Sequence, residues 1–150
     1  PSVIVMNKWD LIEKDSNTIN KFNSDLAEDL KFMDYFIPVY VSAKTGQRVD
    51  KILSVCETAL SNSEKRIPTG QLNDLILDCV RASEPPSVNG KRLKISYATQ
   101  VGTKPPSFVL FVNESALLHF SYKRYLENCI RKAYDISGTP IKISVREKEE

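Results

Sequence analysis

Ser2-Val3-Ile4-Val5-Met6-Asn7-Lys8-Trp9-Asp10 is the stretch that decides how the first part of this 150-residue chain folds. Its first five residues are an apolar, β-branched run that reads as a buried strand, and a polar quartet follows at the point where the strand must turn. The pattern recurs in Phe36-Ile37-Pro38-Val39-Tyr40-Val41, a second apolar run, which ends in Ser42-Ala43-Lys44. Between the two runs, Ile19, Phe22, Leu26, Leu30 and Met33 recur at three- and four-residue steps, which lines one face of a helix. After Lys44, Val49, Ile52, Leu53, Cys56 and Leu60 predict the inward stripe of a second helix from about Gln47 to Ser61. Strand, helix, strand, helix with buried strands is a parallel α/β arrangement.

Asn7-Lys8-Trp9-Asp10 resembles the guanine-reading element of P-loop GTPases. Ser42-Ala43-Lys44, one helix and one strand later, resembles that family's second guanine element. The chemistry accounts for the residue types. Guanine presents two adjacent donors, N1–H and N2–H2, and the Asp10 carboxylate can accept both as a fork, which selects guanine over adenine. Such charge-assisted pairs are stronger than neutral ones, and a mismatched base leaves buried polar groups without partners. The resemblance implies that Asn7 ties the strand end to neighbouring loops and touches the base. It places the aliphatic stem of Lys8 over the ring, with its ammonium in water, and points the Ala43 N–H at the base O6. Trp9, at the variable position, has no role by pattern. A short motif alone is weak, and ordinary turn or cap residues are the plain alternative; the second motif weighs against it.

The remaining motifs of such a site are missing. A phosphate loop needs two glycines and a Lys-Ser/Thr at fixed spacing, so that backbone N–H groups can cradle phosphates. The five glycines, at 46, 70, 90, 102 and 138, do not have it. Asp135-Ile136-Ser137-Gly138 spells the Asp-x-x-Gly of a switch region but follows the guanine motif instead of preceding it, and reads as a turn. Without those parts there is no phosphoryl-transfer machinery, and no catalytic residue is expected in this sequence. GTP or GDP with Mg2+ would belong with further residues, and the fragment alone is expected to hold none and to be inactive. The chain opens on Pro1 directly into a strand, and is expected to be the tail of something longer.

A polar segment, Ser61 to Gly70, ends in Pro68 and Gly70 and reads as a boundary. A third amphipathic helix follows, with Leu72, Leu75, Ile76, Cys79 and Val80 inward, and Glu84-Pro85-Pro86-Ser87 breaks it. Arg92 to Ala98 alternates with period two as a half-exposed strand, and Ser107 to Asn113 is a second strand. A helix over roughly Ser121–Tyr134 precedes a last strand, Ile141 to Val145. This is an α+β layer sandwich, with helices on one face of a three-stranded sheet.

The pattern Pro85-Pro86-x-Val88-x-Gly90-x-Arg92-x-Lys94-x-x-Tyr97-Ala98 is followed by Pro105-Pro106-x-Phe108, Ser121-Tyr122-x-Arg124-Tyr125-Leu126-Glu127-Asn128-x-Ile130-Arg131-Lys132 and Gly138-Thr139-Pro140-Ile141. It resembles the C-terminal domain of the bacterial Der (EngA) family, and the likeness runs from Ser2 to about Lys148. That family carries two consecutive GTPase domains and a KH-like domain, and takes part in assembly of the large ribosomal subunit. The resemblance implies that residues 1–63 end the second GTPase domain, 64–68 are a linker and 69–150 are the KH-like domain. It implies as partners the large ribosomal subunit with its rRNA, and the GTPase domains of the complete protein. A cytoplasmic location is expected, with neither a membrane nor DNA as partner.

No two glycines stand three apart, so the G-x-x-G loop with which ordinary KH modules clamp RNA is missing. Charge is uneven: ten Lys and Arg stand against thirteen Asp and Glu up to residue 90, and eleven against six thereafter. Lys91, Arg92, Lys94, Lys123, Arg124, Arg131, Lys132 and Lys142 are candidates for a phosphate-facing patch. A solvated helix face is the alternative, helped by Lys123, Glu127 and Arg131 at i, i+4 spacing. Tyr122 and Tyr125 are expected to anchor their helix to its sheet in preference to stacking on bases. Cys56, Cys79 and Cys129 lack metal-like spacing and read as buried thiols; no metal site is expected. His119 reads as a surface or packing residue. There is neither a signal peptide nor an apolar run long enough to span a bilayer. A second hypothesis stands beside the first: a non-catalytic RNA- or protein-binding KH-like module with a vestigial guanine motif.

Overall fold

The computed structural model describes residues 1–148, which divide into two units. The first contains residues 1–63 and Ile136–Pro140; the second contains residues 64–135 and those from Ile141 onward.

In the first unit, β1 (Val3–Met6) and β2 (Ile37–Tyr40) pair in parallel, with Val3 opposite Ile37 and Met6 opposite Tyr40. The chain between them forms α1 (Thr18–Asp29) and a short 3-10 turn, Lys31–Met33. Reciprocal bonds between Asp15 and Thr18 start α1: the Asp15 N–H donates to Thr18 Oγ1 at 2.8 Å, and the Thr18 hydroxyl donates to Asp15 Oδ1 at 3.0 Å. Asp15 Oδ1 also accepts the Asn17 N–H at 2.8 Å, so these side chains order the turn that leads into the helix. α2 (Lys51–Ser63) packs on both strands.

The inward face of α2 differs from the predicted stripe. Ala59, Asn62 and Ser63 are buried, whereas Leu53 is 74% exposed and Val49, Cys56 and Leu60 also face solvent. Close approach selects the small residues. Gly138, at φ +82°, lies so near α2 that a Cβ there would sit 2.5 Å from the Ala59 Cβ. Its N–H donates to the Tyr35 carbonyl and its carbonyl accepts from the Ser2 N–H, both at 2.6 Å. Asn62 Nδ2 donates to the Ser137 carbonyl at 2.9 Å. The Asp-x-x-Gly run is thus a turn that ties the entries of β1 and β2 to the end of α2.

In the second unit, α3 (Thr69–Ala82) precedes a two-residue hairpin of β3 (Ser87–Val88) and β4 (Lys91–Arg92). The main sheet has the order β5 (Ile95–Gly102), β6 (Ser107–Val112), β7 (Lys142–Glu147), antiparallel then parallel. The strand expected from Arg92 therefore starts at Ile95, because the hairpin occupies the residues before it, and it runs on to Gly102. Central β6 buries Phe108, Val109, Leu110 and Val112 almost without alternation. Leu72 and Ile76 of α3 and Leu126 and Ile130 of α4 (Phe120–Ala133) complete this core. The 64–68 segment is partly packed here: Ile67 is buried, and its N–H donates to Gln100 Oε1 at 2.8 Å.

α4 is fastened to α3 by two tyrosines, not to the sheet as expected. The Tyr122 hydroxyl donates to the Ser83 carbonyl and the Tyr125 hydroxyl to the Cys79 carbonyl, each at 2.8 Å. His119 caps α4, its Nδ1 accepting from the Ser121 N–H at 3.2 Å. Of the three cysteines only Cys79 is buried; Cys56 is exposed, on the outer side of α2, and Cys129 is half-buried.

Two expectations follow. Gly138→Ala should destabilise the first unit by roughly 2–5 kcal/mol, combining left-handed backbone strain with the collision at Ala59. Denaturant unfolding measures it, and an unchanged midpoint would contradict the packing described. Burial pushes the Tyr122 hydroxyl up to about 12 from the usual 10. The unfolded chain then loses that proton first, so stability should fall as pH rises from about 10 to 12. Tyr122→Phe should flatten that part of the pH–stability curve.

Candidate guanine-nucleotide site

The in-register pairing of β1 and β2 ends both strands side by side. The Val41 N–H donates to the Met6 carbonyl at 2.8 Å, and the Trp9 N–H donates to the Val41 carbonyl at 3.0 Å. The chain after β1 turns through Lys8, which takes the left-handed conformation at φ 62°, into a 3-10 turn at Trp9–Leu11. Only glycine adopts that conformation without strain, so the turn is held by what surrounds it.

Two side-chain bonds join the strand ends. Asn7 Oδ1 accepts the Ala43 N–H at 3.0 Å and the Lys8 N–H at 2.7 Å. The Ser42 hydroxyl donates to Asp10 Oδ1 at 2.6 Å and accepts the Thr45 N–H at 3.2 Å. Ser42 is fully buried, and its N–H donates to the Gln47 carbonyl at 3.1 Å, which closes the 42–47 loop. Asn7, Asp10, Ser42 and Ala43 thus converge, while Lys8 and Lys44 are exposed beside them. Asp10 is half-buried, with one carboxylate oxygen taken by Ser42. The Ala43 N–H, which the family resemblance points at the base O6, is here donated to Asn7.

Trp9 is the residue that the sequence pattern passed over. It is 2% exposed, and its ring packs against Tyr40 at 4.5 Å and edge-on to Phe22 at 5.3 Å. No local periodicity marks it, because its partners lie on α1 and β2.

The candidate cations separate into three sets. Lys91 pairs with Glu114 at 3.0 Å, Arg92 with Glu84, and Arg131 with Glu127 at 3.4 Å. Lys94 and Lys132 are exposed. Lys123, Arg124 and Lys142 instead come together along a groove of about 530 Å³ between α4 and the starts of β6 and β7. Glu127 is the acidic residue lining it, and Phe108, Ile141 and Ile143 form apolar wall. Phe120, 73% exposed, stands there too, an aromatic that the sequence pattern did not single out. Among the described residues, no group of His, Cys, Asp and Glu could hold a metal ion, and no helix is long and apolar enough to cross a membrane.

Residues 66–146 match the model of the KH-domain-like, C-terminal region of EngA bacterial GTPase enzymes. The chain belongs to the Der (EngA) family. Relatives called GTPase Der agree over nearly its whole length. That of Clostridium tetani is 53% identical and that of Clostridium botulinum strain Okra 51%, each over 148 residues. That of Desulfitobacterium hafniense DCB-2 is 50% identical over the same span. Each alignment covers 99% of this chain but 34% of the relative. The chain therefore spans about a third of the length of those Der proteins, and it corresponds to their C-terminal portion. Its second unit is the KH-like α+β domain of the Der family.

Proposed function

We propose that this chain supplies the base-reading half of a guanine-nucleotide site, and a KH-like domain, to a cytoplasmic protein that binds and hydrolyses GTP and assists assembly of the large ribosomal subunit. The observation that carries the reading is the clasp between the strand ends: Asn7 on Ala43 and Asp10 on Ser42. It holds the Asp10 carboxylate and the Asn7 amide at the adjoining strand ends, with Lys8 exposed beside them, and this supports guanine as the base that is read.

In this mechanism Asp10 accepts N1–H and N2–H2, and Lys8 covers the ring with its aliphatic stem. Asn7 holds the 42–44 turn at the height of the base. Ser42 keeps Asp10 in one orientation, so little ordering remains to be done on binding. The phosphate loop, the residues that position water and the metal ligands lie outside this sequence. Mg2+ bound among them would neutralise charge developing on the phosphates. Taken alone, the chain holds no nucleotide and performs no hydrolysis.

The groove supports rRNA as a partner of the second unit. Lys123, Arg124 and Lys142 line one cleft there, beside the apolar wall of Phe108, Ile141 and Ile143. The GTPase domains of the complete protein are its intramolecular partners.

Asp10→Asn in a full-length protein carrying this chain should weaken GDP binding about a hundredfold, since the amide leaves one neutral acceptor and turns a donor towards the second guanine donor, in place of two charge-assisted bonds of roughly 1.5–3 kcal/mol each. Xanthosine diphosphate has a carbonyl in place of the 2-amino group, so it should bind the variant better than the parent. Titration calorimetry with both nucleotides decides it, and equal GDP affinities would remove Asp10 from the base. Arg124→Glu combined with Lys142→Glu should weaken association with rRNA and lower the slope of log K against log salt by about 2. An unchanged affinity and slope would exclude the groove as the contact.

A further inference from the structure

We propose that Trp9 is the positioning residue for guanine recognition, a side chain that never touches the nucleotide but holds both base-reading turns in one geometry. The inference rests on the guanine-site reading above and adds to it a residue outside the recognition set.

Trp9 lies at the meeting of three elements. Its ring contacts Tyr40 at the end of β2 and Phe22 on α1, and those two rings stand 6.3 Å apart, closing a triangle. Tyr40 is itself fixed, its hydroxyl donating to Asn23 Oδ1 on α1 at 2.6 Å. Lys14 carries its ammonium to 5.8 Å from the Trp9 ring centroid, within cation–π range. The Trp9 backbone N–H donates to the Val41 carbonyl.

The covalent neighbours of these contacts give them meaning. Asp10 follows Trp9 directly, and Ser42 follows Val41 directly. One buried indole thus fixes the residue before the base-reading carboxylate and, through Tyr40 and Val41, the strand end that carries Ser42 and Ala43. Lys8 adopts its left-handed turn immediately before the indole, and the ring that follows it is buried. A polar site read by a two-armed carboxylate needs its orientation set closely. The hydrogen bonds at the strand ends supply direction, and the aromatic triangle supplies stiffness.

The consequence is selective. Loosening the triangle lets the Asp10 carboxylate rotate, so the fork engages one donor well and the second poorly. Inosine diphosphate lacks the 2-amino group and offers only the first donor. The ratio of GDP to IDP affinity therefore measures how well both arms are held, and a change in general stability does not move it. In a full-length protein carrying this chain, both dissociation constants are measured by calorimetry for the parent, Trp9→Leu, Trp9→Phe and Phe22→Leu, beside the melting temperature of each. Trp9→Leu should lower the GDP:IDP preference about tenfold, Phe22→Leu about threefold, and Trp9→Phe should restore most of it. Phe22→Leu alters the half-buried wall of the triangle on α1 and serves where Trp9→Leu fails to fold. A parent that does not prefer GDP over IDP overturns the guanine-site reading and this inference with it. A parent that does, with variants that melt lower but keep its ratio, overturns the inference alone and leaves Trp9 as core.

Discussion

β1 and β2 end in step, and everything at the candidate site depends on that. Parallel strands have no intrinsic stop at a common height; register is set by the residues that must be buried and by what fastens the ends. Here Met6 stands opposite Tyr40, and the backbone bonds from Val41 to Met6 and from Trp9 to Val41 carry the pairing past the strands into the turns. A shift by one residue would turn Asn7 away from Ala43 and Asp10 away from Ser42. The opposite ends of the same strands are tied by Gly138, whose two backbone bonds reach Tyr35 and Ser2. The two-stranded ladder is thus clamped at both ends.

Much of this was legible in the sequence, for a physical reason. Strands, turns and the two polar clusters are short-range patterns, and α1, α3 and α4 repeat their apolar residues at helical spacing over three or more turns. α2 was misread because hydrophobicity was taken as inwardness. The face that meets the sheet is chosen by closeness of approach, so Ala59 and Asn62 go in while Leu53 and Leu60 stay out. In relatives about three times as long, further chain is available to cover such residues. Trp9 was missed because its partners are 13 and 31 residues away in the chain. The ion pairs of Lys91 with Glu114 and Arg92 with Glu84 were equally invisible, and they divide a patch that sequence could only count.

The second unit shows the same contrast. Its three main strands and its two helices followed from alternation, helical spacing and the prolines that break α3, whereas the strand order did not. The use of Tyr122 and Tyr125 did not: both are amphipathic, and only the proximity of the α3 carbonyls turns them into a helix–helix fastening. α4, so fastened, carries Lys123 and Arg124 into the groove that Lys142 also lines. A surface of mixed cations and apolar wall needs this kind of rigid backing to present charge at fixed spacing.

A crystal structure of a full-length protein carrying this chain, with GDP bound, tests the central claim most directly. The account predicts the guanine ring between the two strand ends, with both Asp10 carboxylate oxygens within hydrogen-bond distance of N1 and N2, Ser42 still on Asp10, and the Lys8 stem over the ring. A base bound away from Asp10, or strand ends parted so that Asn7 no longer reaches the 42–44 turn, would contradict it.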